Sequence, residues 1–526
     1  MLNSRLPRLS SVVVLSLVCL LAFAVVAQAE NAQKGATVVN EIKHDVSLPL
    51  WEMAKLTPVQ KYAHKEIELK GQAHIKQMPG EDTVVQRQTL PTVSTTDILN
   101  FDGQGADGVA PPDTEGAVGA TQYVQWVNLE YNVYDKTTGS KVLGPVQGNA
   151  FWNGFGGPCQ TNNDGDPIVL YDKVAQRWFI AQNVFATPYT YCIAVSTTSD
   201  ITGSFHRYSF PVSPNNFFPD YPKWGVWPDA YYSSVNVFLN GFSSDGVQAC
   251  AANRTAMLAG NAATMQCFNT PSQYFSLLPS DQDGLTPPPA GSPNYYISLG
   301  TTTSSLAMWQ FHVDFTNPSN STFTGPTSIP VPNYTLICQS TRSCVPQPSP
   351  GEGLDVLGGR VMYRFAYRNL GSYESLLVSN TVKPGSGSRA TAAVRWYEIR
   401  SPKSPTLFQS GTIQHPTYSV WMSSMAQDKN GDIAIGLSAS ATTLDPSIGY
   451  LGRVPTDPVG VMESPKTVVV GTGVQESTSN RWGDYSAMQV DPADDCTFWF
   501  TEEYIKNTGS FNWSTRINSF KFNSCN

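Results

Sequence analysis

Residues 166–210 read DPIVLYDKVAQRWFIAQNVFATPYTYCIAVSTTSDITGSFHRYSF and divide into four apolar runs separated by turns. Asp166 opens a run through Tyr171, Asp172 to Gln176 turns, and Arg177 to Val184 runs again. Tyr191 to Thr197 alternates around Cys192, Ser199-Asp200-Ile201-Thr202-Gly203 places Asp and Gly where tight turns need them, and Ser204 to Phe210 closes the unit. Short runs with period-two alternation bounded by turn residues are strands, so the stretch predicts one four-stranded antiparallel sheet.

The unit returns along the chain. A Trp two residues ahead of a small polar or acidic residue marks Trp227-Pro228-Asp229, Trp421-Met422-Ser423 and Trp482-Gly483-Asp484, and weaker copies stand at Pro112-Asp113, Gly165-Asp166, Pro293-Asn294 and Leu354-Asp355. These seven anchors are spaced by 53 to 68 residues. A repeat of that length in an all-β chain predicts a seven-bladed β-propeller of four-stranded antiparallel sheets, with each innermost strand lining a central channel. The last repeat fits, with strands at Tyr485 to Val490, Thr497 to Tyr504 and Ser514 to Phe522, and it is one strand short. Thr96 to Phe101 is expected to supply that strand and close the ring.

Composition agrees. Charged residues are 14% of the chain against about 25% in an average soluble domain, and 41 Gly and 38 Pro signal many turns. The net charge of −8 argues against nucleic acid, whose phosphates demand a basic face. Aromatic residues make up 11% and serve either inter-sheet cores or ligand stacking.

Arg5 and Arg8 precede the apolar run Val12 to Val26 and a small-x-small pattern at Ala27-Gln28-Ala29, so residues 1–29 read as a signal peptide and the protein as secreted, extracellular or periplasmic, with no membrane span after its removal. Beyond Cys19 eight cysteines remain, without CxxC pairs, and disulfides within single repeats are expected: Cys159–Cys192, Cys250–Cys267, Cys338–Cys344 and Cys496–Cys525. Residues 30–101 differ in character and read as an N-terminal extension, with a helix over Pro58 to Lys76, extended chain from Thr83 to Asn100, and an expendable upstream end. The propeller then occupies residues 102–526.

Four blocks carry a resemblance: Pro111-Pro112-Asp113-Thr114, Gly165-Asp166-Pro167-Ile168-Val169, Tyr221-Pro222-Lys223-Trp224-Gly225 and Arg481-Trp482-Gly483-Asp484-Tyr485-Ser486. Over Asp102 to Cys525 the chain resembles secreted bacterial β-propeller proteins and, more distantly, the sialidase-like superfamily, whose hairpins carry an Asp box S-x-D-x-G-x-x-x-W. Ser199-Asp200-Ile201-Thr202-Gly203 matches that box only in part, so the resemblance implies the fold rather than an activity.

Anchor acids Asp113, Asp166, Asp229, Asp355 and Asp484 are expected at equivalent points on inner strands, where facing carboxylates divide into acid and base. Asp113, Asp166, Asp229 and Asp484 are the catalytic candidates, and the competing reading has each accept backbone hydrogen bonds. Arg481 departs from the Val226 and Val420 of the other Trp motifs, and Arg360, Arg364 and Arg368 share one face of a strand. Arg364, Arg368 and Arg481, with Trp482 and Tyr485, are the candidates for holding an acidic sugar, and the competing reading pairs the arginines with anchor acids. Glu502 and Glu503 end an aromatic strand, where solvent exposure is expected. No metal-ligand spacing, GxSxG elbow or P-loop is present; Asn163-Asp164-Gly165-Asp166 and Asp281-Gln282-Asp283-Gly284 offer a structural Ca²⁺ or, more simply, Asp-Gly turns. Two functions remain: a glycoside hydrolase or polysaccharide lyase acting on an extracellular glycan, and a non-catalytic propeller binding glycan or protein with its channel plugged by side chains.

Overall fold

Period-two alternation becomes an all-β architecture in the computed structural model, which describes Met1 and residues 32–56, 65–66, 74–339, 341–384, 391–477 and 480–525. The expected signal peptide lies outside these residues, apart from Met1. Among the described residues no helix is long and apolar enough to cross a membrane.

From Thr114 onward the strands fall into seven consecutive antiparallel groups. The second is Ile168–Asp172, Arg177–Val184, Thr190–Ser196 and Phe205–Pro211, as residues 166–210 predicted. The first strands of the groups are Thr114–Val118, Ile168–Asp172, Phe217–Val226, Leu278–Asp283, Met362–Asn369, Ser419–Gln427 and Ala487–Val490. These are buried almost throughout, whereas a last strand such as Lys141–Gln147 is largely open, so burial falls from first strand to last. The groups are not seven separate sheets, because Ser280 to Asp283 leaves its own hairpin to pair in parallel with Phe365 to Arg368, fusing the fourth and fifth groups into a nine-stranded sheet.

Hydrogen bonds join each group to the next. Gln122 Nε2 donates to Asp200 (2.8 Å), Tyr221 N to Asp166 (3.2 Å), Val226 N to Asp281 (2.9 Å) and Met488 N to Ser424 (3.0 Å), and the Ser379 and Ser423 hydroxyls bond at 2.9 Å. Seventh meets first where Asp484 N donates to Asp113 (2.8 Å). Between groups the cores are aromatic, as where Tyr450 stacks on Phe520 at 3.7 Å between the sixth and seventh. The fifth and sixth meet instead through small and aliphatic residues, Ala366, Leu377, Val394, Val420, Leu437 and Leu451, around Trp396.

The expected closing strand is present as Thr95–Asp102, paired with Ser514–Phe522 in the seventh group. All four expected disulfides form, each within one group or its loop, and Cys496–Cys525 ties the seventh. The extension departs from expectation upstream. Ala32–Lys34, Thr37–Asn40 and Lys43–Val46 add edge strands to the fourth, third and second groups in that order, and bridges at Lys76, Val85 and Thr92 then carry the chain over the fourth, fifth and sixth. Its upstream end is therefore structural, because it covers backbone edges that would otherwise stand unpaired. The helix lies at Leu50–Leu56, packed through Leu50 and Met53. Much of Pro58 to Lys76, where the helix was expected, lies outside the described residues, and its Lys65–Glu66 pairs as strand with Val109–Ala110.

Candidate functional site

At the heads of the first strands a buried cluster of charges assembles, and backbone conformation places it. Asp113 (φ 48°), Asp166 (φ 49°) and Ser276 (φ 49°) adopt the left-handed region just before the first strands of their groups, and Tyr221 (φ 55°) and Met422 (φ 48°) do so within theirs, where the register breaks. Side chains pay little there only when short and polar, as Asp is, or when their surroundings enforce the strain.

Asp113, Asp166 and Asp484, all expected, come together with Arg481 and Tyr485. Asp113 accepts from Asp484 N and Asp166 from Tyr221 N, so each carboxylate is engaged by backbone of another group. Arg481 pairs with Asp484. Asp220, Tyr221 and Lys223 complete the cluster: Lys223 Nζ stands 3.7 Å from the centre of the Tyr221 ring and 3.8 Å from that of Tyr485. Tyr485 donates to Pro167 O (3.0 Å) and Tyr221 to Asp484 O (3.2 Å). The Arg360 guanidinium lies 4.8 Å over Tyr221, and its Nε and Nη1 have no hydrogen-bond partner among the described residues.

Burial dominates the electrostatics. It raises Asp113 well above the usual carboxylate range, with Asp484 and Asp166 adding to the rise. Asp166 rises to about 6, burial outweighing the pull of Lys223 and the neighbouring Asp484 adding to the rise. Burial, then Asp166 and Asp484, push Asp220 up to about 8, and burial brings Lys223 down to about 8 against four surrounding acids. Several groups thus change charge near neutrality, which catalysis requires and which a strained structural cluster also produces.

This strain makes a prediction. A carboxyl raised from about 4 unfolded to about 8 in the fold contributes stability that is present below pH ~4 and lost as pH rises through about 8. Asp220→Asn mimics the protonated group at every pH. Its melting temperature should match wild type near pH 4 and exceed it by a widening margin up to pH 8, read from melts across that range; a constant difference would exclude the titration.

The remaining candidates lie apart. Asp229 is in the hairpin turn after Phe217–Val226, where Trp227 N donates to Ala230 O, and it accepts from Tyr232 at 3.2 Å. It stands at the far end of its strand from Asp220, so it does not share the cluster: the Trp-x-Asp motif was matched to the wrong end. Asn294 likewise begins a second strand, not a first. Trp482 is 1% exposed, 5.6 Å from Trp421, with its indole donating to Ser438, and packs between groups rather than facing a ligand. Arg364 and Arg368 are buried on ion pairs, though not with anchor acids: Arg364 holds Asp281 and Asp283 (2.8 Å each), and Arg368 holds Asp495 in a fork of 2.7 and 2.8 Å. Glu502 and Glu503 are buried, not exposed, and Glu503 accepts from Gly483 N and Thr114 Oγ1 to brace the seventh group on the first. Of the two Asp-rich segments, Asp164 accepts from Phe185 N, while Asp281 and Asp283 lie in the strand Leu278–Asp283 instead of the expected turn and are neutralised by Arg364 and Lys173.

Sequence reasoning missed Asp220 and Lys223. The signal was spacing: Asp113 to Asp166 is 53 residues and Asp166 to Tyr221 is 55, so a period shorter than that of the Trp motifs reaches them.

Apart from this cluster, a cleft of about 970 Å³ opens between the fifth and sixth groups. It is lined by the buried Val420, Leu437, Ile448 and Leu451, by Gln86 to Thr89 of the extension, and by His415 stacked on Tyr418 (3.4 Å, 14°) together with Gln414 and Lys466.

No model of a protein family matches the sequence, and no curated protein is similar to it. Solved structures similar to it include the N-terminal domain of Nup159 (TM-score 0.37, 9% identity, 85% of this chain and 100% of that one). An N10 neuraminidase-like protein from a little yellow-shouldered bat isolate gives TM-score 0.37 at 9% identity over 70% of this chain and 100% of that one. Extracellular domains 1-2 of Drosophila Semaphorin 1b give 0.32 at 7% over 82% and 88%.

Proposed function

We propose that this chain is a seven-bladed β-propeller exported to an oxidising compartment, where it acts as a non-catalytic module that binds an extracellular glycan. The closed ring is supported by the bonds between successive groups and by Asp484 N on Asp113, which joins the last to the first. Four disulfides support the compartment. The binding reading is carried by the cleft between the fifth and sixth groups, a concavity with an apolar floor and a polar rim. A sugar ring has an apolar C–H face and a hydroxyl periphery, which match the Tyr418–His415 stack and the Gln414 and Lys466 rim. The axial acids support the same reading, since Asp113 and Asp166 are engaged by backbone amides across groups and behave as a plug.

The test is a glycan array with the secreted chain, followed by Ala439→Phe, which fills the cleft. Binding should fall at least about tenfold, a loss of ~1.4 kcal/mol, with little change in melting temperature. Undiminished binding by a folded Ala439→Phe chain would move the site elsewhere.

A second reading keeps a glycoside hydrolase or polysaccharide lyase at the axis, and one observation favours it: Asp166 at about 6 lies close to Asp220 and Lys223 at about 8. Acidic and neutral polysaccharides assayed for reducing ends and unsaturated products decide it. Turnover lost in Asp166→Asn and Asp220→Asn, with melting not lowered, would establish the enzyme.

A further inference from the structure

We propose that the turn Gln427 to Asp432 binds a hard divalent cation, Ca²⁺ by preference, through Asp428, Asp432 and the Gln427 side-chain oxygen. The turn joins Ser419–Gln427 to Ile433–Ala441 in the sixth group and reads Asp428-Lys429-Asn430-Gly431-Asp432. Alternate oxygen-bearing residues in that order resemble the opening of a calcium loop, and spacing alone is weak.

Unmatched buried oxygens carry the argument further. Asp428 and Asp432 are 0% and 1% exposed and Gln427 is 2% exposed. Asp428 uses one carboxylate oxygen to accept from Asn430 N (2.9 Å) and Asp432 N (3.0 Å), while its other oxygen is buried with no donor. Gln427 spends its amide nitrogen on Gly431 O (3.1 Å), which leaves its oxygen buried and without a donor too. Asp432 accepts one bond from Ser524 Oγ at 2.7 Å.

Among the described residues no cation forms an ion pair with either acid. Arg368, which acts on Asp428 from nearby, is committed to Asp495, and Arg453, near Asp432, donates to the carbonyls of Asp457 and Val461. Lys429 turns to Asp494 O. Two buried carboxylates side by side need a shared proton or a shared cation, because an uncompensated buried charge is too costly. The ligand set is all oxygen, which selects Ca²⁺ over softer ions. The sulfurs of Cys496 and Cys525 approach Asp428 within 4.8 Å, and they are engaged with each other as a disulfide.

The site has a mechanical sense independent of the ligand-binding reading. Asn430 donates to Ser524 O and Lys429 N to Asp495 O, so an ion in this turn fastens the sixth group to the end of the seventh.

The experiment uses the full secreted chain, stripped with chelator at pH 8 and melted with and without millimolar CaCl₂, with MgCl₂ as control. Calcium should raise the melting temperature by several degrees in wild type, titration calorimetry should give one site, and Asp428→Asn and Asp432→Asn should abolish both responses. If either variant fails to fold, Gln427→Leu, which keeps both acids, should weaken calcium binding at least tenfold. Absence of heat and of a thermal shift in the stripped wild type, or an equal shift in Asp428→Asn, would overturn the proposal and leave the pair sharing a proton.

Discussion

Removing residues 1–106 is expected to abolish cooperative folding, whereas removing residues 1–46 should lower the melting temperature and leave the fold intact. Thr95–Asp102 pairs along its length with Ser514–Phe522, from Phe522 opposite Thr95 to Arg516 opposite Asp102. Leu99 and Phe101 pack onto Val118, Tyr123, Tyr134, Trp499 and Ile517, residues drawn from the first and seventh groups. Losing the strand therefore uncovers the seam that joins the last group to the first. At ~1.5–3 kcal/mol for each large apolar side chain returned to water, a few such residues cost as much as a domain's whole stability of ~5–15 kcal/mol. The upstream strands are mostly exposed: Val39 is their buried residue, and the partly exposed Asp45 pairs with the buried Arg207 at 2.8 Å. Circular-dichroism melts of the two truncated chains make the comparison. Equal transitions would mean that the seam holds without its fourth strand.

That strand was legible in the sequence because it obeys the same alternation as its partners. Arg177–Val184, Thr497–Tyr504 and Ser514–Phe522 were read to the residue, since each is a run containing aromatic and β-branched residues and bounded by turn residues. The three upstream edge strands were not legible. They are short, largely exposed and held by backbone hydrogen bonds, which any residue except proline supplies, so no side-chain pattern announces them. The parallel pairing of Ser280 to Asp283 was hidden for a related reason: both sides of that strand are buried, and the run carries Ser, Asp and Gln where a core strand would show Val and Ile.

The buried charged site was half legible. Asp113, Asp166 and Asp484 were found because an acid happens to recur at those points. Asp229 was included and Asp220 missed because Trp was taken as the marker of the repeat. Trp227, Trp421 and Trp482 are all buried between groups, but they stand at different positions along their strands, and a large aromatic can fill such a space from several registers. The feature that does recur is a left-handed backbone, adopted by Asp, Tyr, Ser and Met in turn, and residue type does not encode it.

Arg364→Met should destabilise the protein by ~3–5 kcal/mol, lowering the melting temperature on the order of 5–10 °C, because it strands buried carboxylates. Arg364 is 0% exposed, with Nε on Asp281 (2.8 Å), Nη2 on Asp283 (2.8 Å) and Nη1 on Met488 O (3.1 Å). Lys173 reaches Asp283 at 2.6 Å, and Val226 N donates to Asp281. One guanidinium thus ties the fifth group to the fourth and seventh, and through the two acids to the second and third. Burial alone would raise Asp283, but Arg364, Lys173 and Arg368 outweigh it and hold the carboxyl at about 2. Because that value lies below the unfolded ~3.9, the contribution is fully present above pH ~4 and lost as pH falls toward about 2. The penalty in Arg364→Met should follow the same course, widest at neutral pH and narrowing in acid as the stranded carboxylates protonate. Arg364→Lys should fall between, since an ammonium keeps the charge without the fork that reaches both acids. Melts of the three proteins from pH 7 to pH 3 test it: a gap that stays constant with pH would assign the loss to packing instead of charge.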